Sequence, residues 1–92
     1  MTKYTVKPTT QFKKDYKHAI KQGLPMVELE TVIRLLAGGS PLPEKYLDHA
    51  LSGRWSGHRE CHVRPDWLLI YRIEDKVLVL TLSRTGSHSE LF

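Results

Sequence analysis

The chain has 92 residues, of which 40% are hydrophobic and 26% are charged, and its formal net charge at pH 7 is +4. This length and balance predict one folded domain over residues 1–92 and exclude a disordered, highly charged tail. The single cysteine, Cys61, excludes a disulfide-stapled scaffold.

The positive charge favours a polyanionic partner such as nucleic acid, an acidic protein or a membrane surface. The longest apolar runs are far shorter than the about 20 residues that a membrane-spanning helix needs. The first residues also lack the apolar stretch of a signal peptide. We therefore expect a cytoplasmic protein with no membrane partner.

The first half of the sequence predicts one strand and two helices. Residues 4–7 alternate in type and are rich in β-forming residues. Thr9 or Thr10 is placed to cap a helix whose apolar residues recur at helical spacing and which ends near Gly23. A second helix with a wide apolar stripe follows over residues 25–37.

The second half predicts strands, because the apolar period changes from helical spacing to two. Residues 42–53 resemble a loop, and residues 54–63 alternate as a strand with one apolar face. Residues 67–73 and residues 77–82 are apolar on both faces, which predicts two central strands. Residues 84–88 then predict a turn.

Together these elements predict an α+β fold. Two helices would pack on one face of a four-stranded, antiparallel-rich sheet that includes the N-terminal strand. The opposite face of that sheet would remain free to bind a partner.

Side chains that exchange protons near neutral pH concentrate in the second half of the chain. They are His49, His58, His62, Asp66 and His88. Because a free imidazole has a pKa of about 6.5, both of its forms are present near pH 7. Two such groups on either side of a phosphodiester would cleave RNA, one taking the 2′-hydroxyl proton and the other protonating the departing 5′-oxygen.

Other residues suit contacts with phosphates and bases. Arg84 or Arg64 would stabilise charge on the phosphoryl oxygens. Trp67 on its own indicates core packing, whereas Phe92 suits either stacking on an unpaired base or core packing by a docked C-terminal tail. A lysine-rich helical face is either simply solvated or a contact for RNA phosphates. Its lysines include Lys13, Lys14 and Lys17.

A metal site is the alternative use of the histidines. His58, Glu60 and His62 would share one face of a strand, while Cys61 would point to the other. The spacing has neither the paired cysteines of a structural zinc site nor the helical His-Glu-x-x-His pattern. The sequence therefore predicts no native metal site.

Two sequence runs resemble a known family. They are HVRPDWLLIY at residues 62–71 and RTGSH at residues 84–88. Together they are similar to the YafQ toxins of the RelE superfamily, and the resemblance extends over the whole chain in length and element order. It implies a toxin of a type II toxin–antitoxin pair, an endoribonuclease that cleaves messenger RNA in the ribosomal decoding site without metal or cofactor. It also implies neutralisation by a cognate antitoxin. We expect the toxin alone to be a monomer.

The resemblance also implies which residues form the site. The positions that match the family's active site are His49, His62, Asp66, Trp67, His88 and Phe92. Arg84 matches a basic position beside it and would bind phosphate, and the first-helix lysines would face ribosomal RNA. His88 would be one proton-transfer group, and His49, His62 or Asp66 the other. Asp66 would alternatively orient a histidine, while Trp67 and Phe92 would hold bases.

Two other functions fit parts of this pattern. A non-catalytic basic module that binds RNA or a protein, such as an inactive relative, shares the charge but has no need of several histidines. A metal-dependent nuclease would require the metal site rejected above. Substitution of His88 separates the first alternative from a ribonuclease, and a chelator separates the second.

Overall fold

The computed structural model describes residues 2–92, which form an α+β fold with one mixed sheet. Its strands are β1 Thr5–Pro8, β2 His49–Ala50, β3 Arg59–Arg64, β4 Trp67–Glu74 and β5 Val79–Gly86. Its helices are α1 Thr10–Lys21, α2 Met26–Ala37 and α3 His88–Leu91. The strand order is β1-β5-β4-β3-β2, with β1 parallel to β5 and the other pairs antiparallel. The predicted α+β class is confirmed, and the sheet has five strands instead of four because β2 adds a short edge.

The two long helices form where the sequence predicts them. The side chain of Thr9 accepts a hydrogen bond from the backbone N–H of Phe12 at 3.0 Å and so caps α1. Gly23 follows the last turn of α1 with φ of 76°, the left-handed conformation that glycine adopts without steric cost. Neither of these helices, nor any other in residues 2–92, is long and apolar enough to cross a bilayer.

Strand β4 separates two apolar cores, because its alternate side chains face opposite sides of the sheet. Leu69 and Tyr71 belong to the larger core beneath α1 and α2. Leu68 and Ile70 belong to a smaller core, which Leu91 of α3 completes. The expectation of a free second sheet face is therefore wrong, since the apolar side chains on both faces of this strand are packed against other residues.

The strand predicted for residues 54–63 begins later than expected. A 3₁₀ turn occupies Gly53–Trp55, and Gly57 has φ of 87°, so extended backbone starts only at Arg59. An alternating pattern alone does not reveal such a turn, because the left-handed residues that form it are glycines without a side-chain signature.

The last strand is also displaced towards the C-terminus. It starts at Val79 instead of residue 77, because Leu78 takes φ of 54° in the hairpin that joins β4 to β5. It then continues to Gly86, through most of the predicted turn 84–88. The side chains of Ser87 and Glu90 each accept a hydrogen bond from the other's backbone N–H, a capping box that begins α3 directly after the strand. This short helix places His88 beside the ends of β3 and β4.

Candidate functional site

Three imidazole rings lie in a row at one edge of the sheet. His49 comes from β2, His62 from β3 and His88 from α3. The ring centroids of His49 and His62 are 6.1 Å apart, and those of His62 and His88 are 5.7 Å apart. The side chain of His62, in the middle, is only 17% exposed, whereas the outer two are about half exposed. The fold thus brings together three of the histidines that the sequence singled out.

At one end of the row, His88 is fixed by Asp66. One oxygen of Asp66 accepts hydrogen bonds from the backbone N–H of His88 at 2.9 Å and from its ring Nδ1 at 2.6 Å. These bonds, the backbone one first, lower the pKa of the Asp66 carboxyl from its usual value. Because an ionised carboxylate only accepts, Nδ1 of His88 bears the proton, and Nε2 remains available to exchange one.

At the other end, Glu60 is buried against two imidazoles. Its Oε1 lies 3.4 Å from Nε2 of His49 and 3.5 Å from Nε2 of His62. Nδ1 of His49 donates to the carbonyl of Leu47 at 2.8 Å, and Nδ1 of His62 donates to that of Pro65 at 3.3 Å. Since carbonyls only accept, each Nδ1 carries a proton. In the neutral rings the lone pairs of both Nε2 atoms would therefore face the carboxylate of Glu60.

Glu60 is the site residue that the sequence did not assign. It was grouped with His58 and His62, but β3 begins at Arg59 and the His58 ring instead lies edge-on to Trp55, with centroids 5.2 Å apart. The second histidine beside Glu60 comes from the neighbouring strand. His49 of β2 pairs directly with Glu60 in the sheet register. Alternation along β3 placed Glu60 and His62 on one face, and only the pairing of β2 with β3 adds His49.

These side chains also form a possible set of metal ligands. His49, Glu60 and His62 each offer one ligand atom, and the three atoms lie within 4.8 Å of one another. Two imidazoles and a carboxylate are ligands that Zn²⁺ and Cu²⁺ accept. The donor chemistry therefore fits a transition metal, and the prediction of a metal-free site stays a prediction.

Arg84 and Asp66 both line a cleft of about 600 Å³ between α1, β5 and α3. Its Nε donates to Asp15 at 2.8 Å and its second terminal nitrogen at 3.2 Å. The backbone N–H of Thr85 donates to the same carboxylate at 3.2 Å. Asp15 is only 11% exposed, so Arg84 is held rigidly, with part of its guanidinium already engaged.

The two aromatic candidates differ in exposure. Trp67 is 3% exposed, and its indole N–H donates to the side chain of Thr85 at 3.0 Å. The stacking of a base on this ring, which the resemblance implied, is not compatible with its burial, so we correct its role to core packing. Phe92 is 59% exposed and its ring is accessible. The first-helix lysines are also exposed, namely Lys13, Lys14 and Lys17.

Comparison with known proteins identifies the family. The family model described as a bacterial toxin of a type II toxin–antitoxin system, YafQ, matches residues 4–92. The mRNA interferase toxin YafQ of Escherichia coli K12 is 46% identical over 83 residues, which cover 89% of this chain and 88% of that protein.

Solved structures match the fold over nearly its full length. The E. coli DinJ–YafQ toxin–antitoxin complex has a YafQ chain that superposes with a TM-score of 0.90 at 41% identity, covering 98% of both chains. A metal-bound toxin from Helicobacter pylori superposes with a TM-score of 0.91 at 43% identity, covering all of both chains. Both the family model and the close relatives confirm the resemblance found in the sequence. The chain therefore belongs to the YafQ family of bacterial toxins of type II toxin–antitoxin systems.

Proposed function

We propose that this toxin is a ribosome-dependent endoribonuclease that cuts messenger RNA in the decoding site by metal-free acid–base catalysis. The observation that carries the proposal is the row of three imidazoles, one of which, His88, is oriented by Asp66. The E. coli relative is named an mRNA interferase, which supports RNA as the substrate. A group that only binds RNA has no need of an ionised carboxylate that fixes one imidazole tautomer.

The chemistry is a transesterification that needs two proton transfers. One imidazole takes the proton from the 2′-hydroxyl while O2′ attacks phosphorus. The bond from phosphorus to the 5′-oxygen breaks, and the second imidazole gives that oxygen a proton. The products are a 2′,3′-cyclic phosphate and a 5′-hydroxyl end. Each transfer typically contributes a factor of about 10²–10⁴ in rate.

The geometry suggests how the roles divide. His88 is one proton-transfer group and Asp66 positions it, because the short bond between them fixes the imidazole tautomer. His62, the neighbour of His88, supplies the other transfer, with His49 as the alternative. Glu60 lies against the Nε2 atoms of both of these rings, whose orientation is fixed by the hydrogen bonds of Nδ1 to backbone carbonyls.

Groups around the row bind the substrate. Arg84 neutralises charge on the phosphoryl oxygens, since it lines the same cleft as Asp66 and one terminal nitrogen of its guanidinium is not bonded to Asp15. The exposed ring of Phe92 stacks on a base. The exposed lysines of α1 contact ribosomal RNA, as charges on one helix face suit a phosphate backbone.

The protein partner is a cognate antitoxin in the bacterial cytoplasm. The DinJ–YafQ complex, matched at 41% identity, supports such a partner for this chain. We propose that the toxin alone is a monomer that the antitoxin binds and inactivates.

A metal-dependent reaction is the second candidate, and one observation favours it. The ligand atoms of His49, Glu60 and His62 lie close enough for one ion, and the H. pylori relative is described as metal-bound. A metal there would generate a hydroxide or polarise the phosphoryl group. The third candidate, a binding module without activity, leaves the Asp66–His88 pair without a purpose.

One experiment separates the three. The purified protein is added to a defined message, naked or bound to ribosomes, with and without a chelator, and the cuts are mapped by primer extension. Discrete cuts on ribosome-bound message that resist the chelator and vanish with His88→Ala support the proposal. Cuts that the chelator abolishes support the metal-dependent reaction. An absence of cuts from a folded protein supports the binding module.

A further inference from the structure

A cleft of about 590 Å³ opens beside His62, between α2, the turn Glu44–Tyr46 and the end of β3. The mechanism above does not use it. His62 belongs both to the wall of this cleft and to the histidine row, where its ring lies 5.7 Å from that of His88. Because RNA is a continuous chain, a phosphodiester held at His62 places one of its two nucleosides at the mouth of this cleft.

The walls of the cleft are apolar where a base would lie. Tyr46 presents a half-buried ring, Leu47 is 60% exposed, and Val63 closes the floor. Leu47 has φ of 50°, a conformation unusual for a leucine, which turns the chain at this rim. An aromatic ring beside an exposed leucine is a surface on which a flat base would stack.

The charges of the cleft suit a single phosphate. Arg64 donates two hydrogen bonds to Glu28, at 3.0 and 2.6 Å, so these two charges balance one another. Lys45 forms no ion pair within 4 Å in the described part of the chain, and its ammonium lies 5.1 Å from the centroid of the Tyr46 ring. Glu28, Arg64 and Lys45 together leave one net positive charge next to an apolar surface, and the long side chain of Lys45 would reach a phosphate there.

We propose that this cleft binds the nucleoside next to the cleaved phosphodiester, with the base against Tyr46 and Leu47 and the adjoining phosphate on Lys45. The inference rests on the proposed function, since it names a substrate subsite of the same reaction. The volume lies within the range of small-ligand sites, about 300–1,000 Å³. Because stacking on an aromatic ring tolerates any base, this subsite would contribute to the affinity for the message.

The test uses single-turnover cleavage of one ribosome-bound message over a range of toxin and salt concentrations. Tyr46→Leu should raise the toxin concentration for half-maximal rate roughly tenfold, within the effect of losing one base stack. Tyr46→Phe, which keeps the ring, should stay within about twofold of wild type. Lys45→Ala should weaken binding and reduce its salt dependence, whereas Lys76→Ala in the β4–β5 hairpin should change neither. Maximal rate and pH profile should be unchanged, because these residues do not move protons.

A second measurement keeps the subsite separate from catalysis. The ribosome is programmed with a message carrying a 2′-O-methyl group at the cut position, and toxin binding is measured directly. If wild type and Tyr46→Leu bind this uncleavable message equally, the inference is overturned even where cleavage occurs. If Tyr46→Leu weakens binding but wild type never cuts, the subsite stands and the proposed reaction fails. If the folded variants lose affinity only for the antitoxin encoded beside the toxin, the cleft belongs to a protein partner and the inference is overturned.

Discussion

Asp66 and His88 are joined by two hydrogen bonds that end on the same carboxylate oxygen. The backbone N–H of His88 and its ring Nδ1 both donate to Oδ1 of Asp66. The backbone bond fixes the first turn of α3, and the ring bond fixes the imidazole tautomer. One carboxylate therefore determines both the position of His88 and which ring nitrogen faces the substrate.

Asp66→Asn should lower the single-turnover cleavage rate by about 10²–10⁴, close to the effect of His88→Ala. The amide retains the shape of the side chain but no longer holds a negative charge beside Nδ1, so the ring loses its fixed tautomer. The rate is measured on ribosome-bound message at saturating toxin. Lys76→Ala serves as a surface control, and thermal melts verify that each variant is folded.

A double variant tests whether the two residues act as a unit. Asp66→Asn combined with His88→Ala should be no slower than His88→Ala alone, because Asp66 acts through His88. Multiplied effects in the double variant would show instead that Asp66 transfers a proton itself, which is the other role that the sequence left open.

Acid should weaken the fold through carboxylates that accept hydrogen bonds. The pKa of Glu90 is lowered, first by the backbone N–H of Ser87, and the pKa of Asp66 is lowered by His88. A carboxyl whose folded pKa is below its unfolded value stabilises the fold above the unfolded value, about 4, and loses that effect as pH falls through the folded value. The free energy of unfolding should therefore decrease between pH 5 and pH 3.

Urea denaturation followed by circular dichroism at several pH values measures this dependence. Glu90→Gln and Asp66→Asn should each give a shallower decrease than wild type, since the group that titrates is gone. Lys76→Ala should retain the wild-type slope. Equal slopes in all four proteins would show that these hydrogen bonds do not contribute to stability.

Substitution of Trp67 should affect the stability of the fold more than the cleavage of RNA. Replacement by phenylalanine removes the hydrogen bond to Thr85 and leaves a gap in the core, so the free energy of unfolding should fall by about 1–3 kcal/mol. The folded variant should cut RNA within a few-fold of wild type. Phe92→Ala should show the reverse, with little loss of stability and weaker substrate binding. A strong loss of cleavage from folded Trp67→Phe would restore a direct role for the ring.

The sequence predicted most of the fold because periodicity and caps are local signals. The sequence predicted the end of α1 near Gly23 and an N-cap at Thr9 or Thr10. The α+β class followed from the change of apolar period. The site was predicted in part for a different reason. Its histidines are conspicuous as residue types, whereas Glu60 becomes a site residue only when β2 pairs with β3. The pairing of two distant strands cannot be predicted from the residues of either strand alone.

Burial was the other property that sequence alone did not determine. Trp67 opens an apolar strand, so both a core and a surface role fitted its position, and only the packing beneath α1 decides for the core. The role of Asp15 could not be predicted from the sequence either. It lies among the lysines of α1, and its function as the partner of Arg84 depends on a contact across 69 positions of sequence.

Metal ions should inhibit this enzyme if the proposed mechanism holds. Zn²⁺ or Cu²⁺ would take the Nε2 lone pairs of His49 and His62 with Glu60 as the third ligand, and so remove His62 from proton transfer. Micromolar Cu²⁺ should lower the cleavage rate at least tenfold, and a chelator should restore it. Glu60→Gln should weaken this inhibition, whereas His18→Ala, outside the ligand set, should not. Activation by the metal would support the metal-dependent reaction instead.

Arg84 and Asp15 should behave as a coupled pair. Arg84→Ala should lower the maximal cleavage rate by about 10²–10³, as expected for losing one charge that stabilises the phosphoryl oxygens. Asp15→Asn should lower it less, about tenfold, because the guanidinium remains but loses the carboxylate that holds its Nε and second terminal nitrogen.

The double variant decides between positioning and independent effects. If Asp15 acts only by holding Arg84, then Arg84→Ala with Asp15→Asn should cleave as slowly as Arg84→Ala alone. Asp15 also accepts a hydrogen bond from the backbone N–H of Thr85, so Asp15→Asn should lower the melting temperature. The rates are therefore compared at a temperature where every variant is folded. Arg84→Lys should recover only part of the rate, because an ammonium cannot reproduce the paired contacts of the guanidinium with Asp15. Full activity in Arg84→Ala would show that this arginine takes no part in the reaction and only joins β5 to α1 through its ion pair with Asp15.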